Sequence, residues 1–305
     1  MRVAAIDIGT NTALLLVAER VNGDVVAVAD EAEIVRLGEG LDRSGRLGDA
    51  AMQRTLATLH RYATRIGELA CTRVVAVATE AVRKAENGGD FVAAASAELA
   101  PVGGKLEIID GEREARLSWH AVQASFPAES GALTGPRTVL DIGGGSTELL
   151  VGEREVEGVI SLPIGSVRLT ERLLHHDPPT DEEHASLIAA IDAELLKAPA
   201  PRGALVGIAG TVTTLAAMAQ SLAVYDGARV HGARLSRADI DGLAAMLGRT
   251  PVADRRRTPG LDPKRADVIF AGAVILQRVM ERAAVDSVLV SDRGIRWGLA
   301  YELCG

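Results

Sequence analysis

A chain of 305 residues suits two hydrophobic cores better than one. Apolar residues make up 48% and aromatics only 3%, so those cores must be built from Ala, Val, Leu and Ile. A formal net charge of −8 excludes a general DNA-binding protein, which needs a basic face, but leaves room for a local basic groove.

Cys71 and Cys304 lie far apart without metal spacing and read as free thiols of a reducing compartment. Asp7 interrupts the N-terminus before a long apolar run develops, so no secretory signal is expected. Residues 203–225 carry no charge and are long enough to span a bilayer. Their glycines and threonines read instead as strand, turn and helix. The expectation is a cytoplasmic protein with no membrane partner.

In chain order, a strand-like run over residues 2–6 leads into Asp7-Ile8-Gly9-Thr10-Asn11-Thr12 and a second apolar run. Asn22-Gly23 then signals a type I′ hairpin before a strand-like stretch over 24–37. Helical periodicity covers 49–69, followed by the apolar run 74–79, helices over 90–99 and 112–125, and a strand over 106–110. The Gly, Pro and Ser content of 127–136 marks a joint. Beyond it, a strand over 137–140 meets Asp141-Ile142-Gly143-Gly144-Gly145-Ser146-Thr147-Glu148. Further strands are expected over 156–163 and 287–291, and helices over 181–196, 213–222, 237–247, 263–283 and 294–303. His175-His176 is expected to cap the end of a helix.

Residues 7–17 align without gaps on 141–151, with three identities at each end and Thr12 facing Ser146. Residues 74–79 echo 205–210 in the same order. Duplication of one α/β domain explains both. The expected domains are 1–125 and 126–293, with a last helix about 294–305 packing back on the first. Short strands alternating with longer helices place helices on both faces of each sheet.

Three consecutive glycines cost backbone entropy, so something must require their freedom. Bare glycines let the backbone approach a ligand and turn successive N–H groups into an anion nest. Ser146 and Thr147 add hydroxyl donors, and Asp141 can serve Mg²⁺ directly or through water. The segment lacks the Gly-Lys-Ser/Thr ending of a P-loop and the Gly-x-Gly-x-x-Gly of a dinucleotide fold. Gly210-Thr211 opens a second candidate loop, where a helix dipole could meet an anion. No His/Cys cluster has zinc spacing, and no Ser–His–Asp set stands out.

The paired loops resemble the phosphate-binding hairpins of the actin-like ATPase superfold. Their wording resembles one family within it, the exopolyphosphatase/guanosine pentaphosphate phosphatases. The matching segments are residues 7–12, Ala78-Thr79-Glu80-Ala81-Val82-Arg83, Ile109-Asp110-Gly111-Glu112-Arg113-Glu114-Ala115-Arg116, 141–148, 207–214, Arg265-Ala266-Asp267 and 291–296, in family order across nearly the whole chain. The resemblance implies an α/β fold of two duplicated, ribonuclease H-like domains with a cleft between them.

It also implies roles. Glu114 would activate the attacking water, with Glu148 a second essential acid. Asp141, and by the repeat Asp7, would serve Mg²⁺, a monovalent cation also being open. Phosphate would meet Gly9, Thr10, Asn11, Thr12, Arg83, Gly143, Gly144, Gly145, Ser146, Thr147, Gly210 and Thr211. The basic runs Arg255-Arg256-Arg257 and Lys264-Arg265 read as solvated, with Arg256 and Arg265 candidates for a polyanion path.

Local pattern alone makes Glu114 an exposed first-turn acid and Arg83 a surface ion-pair partner. Arg113 stands where the family often has a second glutamate, and Glu80 where a small polar residue is common. The helical C-terminal extension of larger members is expected to be absent. The implied activity is release of terminal phosphate from inorganic polyphosphate, the family's broader activity, with guanosine pentaphosphate as the alternative substrate, by a homodimer. Two alternatives remain open: a phosphotransferase on the same superfold, and a non-catalytic alarmone sensor.

Overall fold

The computed structural model describes residues 1–127 and 133–305, so the joint expected at 127–136 lies partly outside the described residues. The chain forms two units, Met1–Ala121 with Ile295–Gly305, and Val122–Gly294.

The first unit opens with a meander of β1 (Arg2–Ile8), β2 (Thr12–Val21) and β3 (Asp24–Ile34). Its β2–β3 turn has Asn22 at φ 53° and Gly23 at φ 97°, the left-handed pair a type I′ hairpin needs. The strand expected to reach Leu37 stops at Ile34, because the amides of Val35 and Arg36 both turn to the carbonyl of Asn11 at 3.0 Å. Next come the short α1 (Leu41–Ser44) and the long α2 (Asp49–Glu68). After them β4 (Arg73–Ala78), α3 (Glu80–Lys84), α4 (Gly88–Leu99), β5 (Leu106–Ile108) and α5 (Gly111–Ser125) follow. Sheet order is β3-β2-β1-β4-β5, with β4 parallel to β1 and β5 parallel to β4.

Strand alternation splits this sheet's two faces. Ala4, Ile6, Ile8, Leu15 and Val17 pack against Leu59, Tyr62 and Ile66 of α2 and Phe91 and Leu99 of α4. The opposite face presents Val3, Leu16 and Ala18 to Ala121 of α5 and to Trp297 and Leu303 of the C-terminal helix.

The second unit runs β6 (Arg137–Ile142), β7 (Thr147–Gly152), β8 (Val156–Leu162), α6 (Ser166–Leu173) and α7 (Asp181–Leu195). It continues through β9 (Ala204–Ile208), α8 (Ala209–Ala219), α9 (Gly227–Val230), β10 (Arg234–Ser236) and α10 (Arg237–Arg249). The unit closes with α11 (Val252–Arg255), α12 (Ile269–Ala283) and β11 (Ser287–Val290), and α13 (Ile295–Cys304) returns to the first unit. Read from its meander edge, the second sheet is β8-β7-β6-β9-β11, with an antiparallel β10 added at the far edge. Strand for strand it repeats the first sheet, and β6, β9 and β11 run parallel as β1, β4 and β5 do.

Three expectations need correction. The helix read over 263–283 is a 3₁₀ turn, Pro263–Arg265, and then α12, because Asp262 caps the amide of Lys264 at 2.8 Å. The helix read from 213 begins at Ala209, so it encloses Gly210 instead of following it. His175 and His176 do not cap α6, which ends at Leu173. The His175 amide (2.8 Å) and His176 Nδ1 (3.0 Å) both meet Oε1 of Glu183. Glu183 belongs to the capping box of α7, and these bonds, that of His176 foremost, hold its carboxyl down to about 2. Among the described residues no helix is long and apolar enough to cross a membrane; residues 204–219 are β9 and α8.

Candidate active site

In the first unit, β1 and β2 are joined by Gly9, Thr10 and Asn11, and the Gly9 amide donates to the carbonyl of Thr12 at 3.0 Å. The carbonyls of Thr10 and Asn11 are tied back, to the amide of Gly38 (2.8 Å) and to those of Val35 and Arg36. Among the described residues the amides of Thr10 and Asn11 donate to no protein acceptor, and the buried Nδ2 of Asn11 has none either. Gly38 makes this possible, since a Cβ there would overlap the Thr10 methyl.

The second unit builds the same turn. The Gly143 amide donates to the carbonyl of Ser146 at 3.0 Å. Gly143's carbonyl accepts from the Ser166 amide (3.0 Å), and that of Gly144 from the amides of Val167 (2.9 Å) and Arg168 (3.1 Å). Gly145's carbonyl accepts from the Arg168 guanidinium. With the carbonyls anchored to the start of α6, the amides of Gly144, Gly145 and Ser146 carry no protein acceptor among the described residues. Such amides form the nest that anions occupy. Gly165 permits the approach of α6, because a Cβ there would collide with the backbone carbonyls of Gly144 and Gly145. The backing glycines Gly38 and Gly165 were missed in the sequence; for Gly165 the only signal is a glycine directly before a helical pattern.

Glu114 lies in the first turn of α5, its amide on the carbonyl of Asp110 at 3.0 Å. It is 7% exposed, not the solvent-facing acid its charged neighbours suggest. Arg83 Nη1 donates to Glu114 Oε1 at 2.5 Å and to the carbonyl of Ile109 at 2.6 Å. Arg83 comes from α3 and Glu114 from α5, so two separate segments converge here. Glu80, also buried, is held by Lys84.

Glu148 is 7% exposed and accepts a hydrogen bond from Ser161 Oγ at 2.6 Å. Asp141, Glu148 and Ser161 face one another across β6, β7 and β8. The equivalent row of the first unit is Asp7, Leu14 and Ala32, so the second copy places a carboxylate where the first has a leucine. Thr147's hydroxyl, by contrast, is spent on the carbonyl of Ile164 at 2.5 Å.

Gly210 and Thr211 lie in the first turn of α8, where helix amides lack intrahelical partners. The Arg265 guanidinium fills the space a Gly210 Cβ would need. Thr211 is buried, its methyl against Gly272. Arg256 is exposed at the end of α11. Arg255 corrects the reading of a solvated run: it is buried, donating to the carbonyls of Thr250 (2.7 Å) and Ala266 (3.2 Å).

Cation donors are the remaining question. Among the described residues no three His, Cys, Asp or Glu side chains cluster closely enough to hold a metal alone. Mg²⁺ needs no such cage, since it is commonly bound by one or two carboxylates together with substrate phosphates and water. Asp7 fits that use. Its Oδ1 is buried without a hydrogen-bond partner, and burial pushes the carboxyl up to about 7 against the opposing charge of Arg296. Arg296 is itself clasped by Asp30 at 2.8 and 3.1 Å.

Two α/β units, each carrying a glycine turn with anchored carbonyls and unclaimed amides and each with a buried glutamate, define a phosphate-handling enzyme. Residues 16–305 match the model of the Ppx/GppA phosphatase family. Exopolyphosphatase 2 of Mycobacterium tuberculosis is 39% identical across 100% of this chain and 99% of its own length. Among solved structures, a Ppx/GppA family member of Aquifex aeolicus is 37% identical with a TM-score of 0.83, covering 99% of this chain and 97% of its own. An exopolyphosphatase from Cytophaga hutchinsonii is 28% identical with a TM-score of 0.90, covering 100% and 98%. The chain belongs to the Ppx/GppA phosphatase family, the one its signatures resembled, and is a hydrolase of phosphoanhydride bonds.

Proposed function

We propose that this protein is an exopolyphosphatase, releasing orthophosphate from the end of inorganic polyphosphate. The supporting observation is the repeated glycine turn, whose anchored carbonyls leave amides available to anionic oxygens. Phosphoanhydride cleavage needs an in-line water, charge stabilisation on the transferred phosphoryl oxygens and little else. Glu114 takes the proton of a water that attacks the terminal phosphorus, while the bond to the bridging oxygen breaks. Glu148, held by Ser161, is the second essential acid of the reaction. The turns at 9–12 and 143–147 bind phosphate, as do Gly210 and Thr211 at the start of α8. Arg265, against Gly210, adds a positive charge, and Arg256 extends the polyanion path. Asp7 and Asp141 would hold Mg²⁺, which when bound neutralises charge on the phosphate oxygens. A cytoplasmic homodimer completes the reading; light scattering of the purified protein tests the dimer.

Phosphate release from short polyphosphate, long polyphosphate and guanosine pentaphosphate, with no added acceptor, is the test. Glu114→Gln is expected to slow turnover by about 10²–10⁴-fold, the usual contribution of a positioned proton acceptor. Equal rates for both proteins would remove Glu114 from the mechanism. Preference for guanosine pentaphosphate would reassign the substrate, and phosphate transfer only to an added acceptor would make the chain a kinase.

A further inference from the structure

The Arg83 guanidinium has two sides in different situations. Nη1 is committed, at 2.5 Å from the Glu114 carboxylate and 2.6 Å from the Ile109 carbonyl. Nε and Nη2 carry no hydrogen bond among the described residues, and 31% of the side-chain surface is open. A residue that only bound phosphate would not need to grip a 7%-exposed glutamate through the same group. The two open donors let the same guanidinium reach a second anion while it holds the first.

We infer that Arg83, which the resemblance gives only as a phosphate ligand, is also a positioning residue for Glu114: its Nη1 side aims the carboxylate and keeps it ionised, while its Nε/Nη2 side stays open to that phosphate. The inference rests on the proposed role of Glu114 as proton acceptor. Burial favours the protonated, useless form of that acid, and an adjacent cation opposes this. The Ile109 carbonyl holds the guanidinium in place, so the donor that meets Glu114 Oε1 has a fixed direction.

The other charges around this turn are already engaged. Lys84 of α3 holds Glu80, and on α5 Arg116 pairs with Glu112. Arg113 pairs with Glu302 of α13, and its amide is capped by Asp110. Arg296 of α13 clasps Asp30, and Asp7 stands at the end of β1 with Arg296 as its opposing charge. Within the first unit, Arg83 is the cation whose hydrogen bond reaches Glu114.

The experiment follows the Glu114 carboxyl by carbon-13 titration between pH 3 and 9, and measures kcat and KM for tripolyphosphate hydrolysis at pH 8, in wild type, Arg83→Gln and Arg83→Lys. Loss of a cation at this distance is expected to move the ionisation of Glu114 upward by about one pH unit or more. KM should rise as well. Arg83→Lys restores the charge without the second face, so its Glu114 ionisation should return toward wild type while KM stays high. An unmoved Glu114 ionisation in Arg83→Gln with only KM raised makes Arg83 a plain phosphate ligand and overturns the inference. Unmoved kcat and KM overturn it too. If the variant does not fold, or wild type releases no phosphate, a carbon-13 titration of the wild-type Glu114 carboxyl still decides. Ionisation below the ordinary glutamate range supports the inference, and ionisation at or above it does not. Absence of phosphate release would by itself refute only the proposed activity.

Discussion

Asp7 shows what the site costs the fold. Its carboxyl titrates near 7 in the folded protein against 3.8 ordinarily, because burial disfavours its charge. Below pH 3.8 it is protonated in both states and has no effect. As pH rises from 3.8 to 7 the unfolded chain ionises and the folded one does not, so stability falls through that window and the full penalty holds above 7. The shift corresponds to roughly 4 kcal/mol at most, at about 1.4 kcal/mol per pH unit. Asp7→Asn is therefore expected to raise the urea midpoint at pH 8 and leave it unchanged near pH 4, while phosphate release falls. Equal urea midpoints for both proteins at pH 8 would mean that the buried carboxylate is already compensated. Glu114 marks the limit of sequence reading at this scale. Its neighbours Glu112, Arg113 and Arg116 make the segment look solvated, and its hydrogen-bond partner Arg83 lies thirty-one residues earlier.

At the scale of elements, each glycine turn depends on a glycine in the segment behind it. Gly38→Ala would press a Cβ against the Thr10 methyl, which can turn aside. Gly165→Ala would press one against the backbone of Gly144 and Gly145, which cannot move without displacing the turn. Gly165→Ala should therefore lower kcat/KM about a hundredfold, the scale of a 1 Å misplacement, and Gly38→Ala much less. A steady-state comparison of the two variants checks this; equal losses would place the damage elsewhere.

The second turn was legible because three successive glycines have no purpose in a plain hairpin, the first because residues 7–17 align with it, and the β2–β3 hairpin because Asn22-Gly23 suits left-handed backbone. What supports them was not, since Gly165 is brought to Gly144 by tertiary packing. Boundaries failed for local reasons. Ala209 takes φ 65° and starts α8 earlier than Gly210 implies, and the Asp262 cap breaks the helical pattern after Pro263.

For the whole molecule, the 7–17 and 141–151 repeat announced two related sheets, and the matching strand orders extend that kinship beyond the segments that align. Among the described residues the edge strand β10 has no counterpart in the first sheet, and it left no repeat signal. The units differ in how the chain completes them. The second is one continuous segment, whereas the first requires α13, whose Trp297 and Leu303 cover Val3, Leu16 and Ala18. Trp297 is 5% exposed, and its truncation to Ala should cost about 3–5 kcal/mol through lost burial and the cavity left behind. That loss falls on the first unit's core alone, since the second unit's core contains none of these residues. In Trp297→Ala, hydrogen exchange should show β1, β2 and β4 losing protection while β6, β9 and α12 keep theirs. Uniform loss across both sheets would mean that the two cores unfold as one cooperative block.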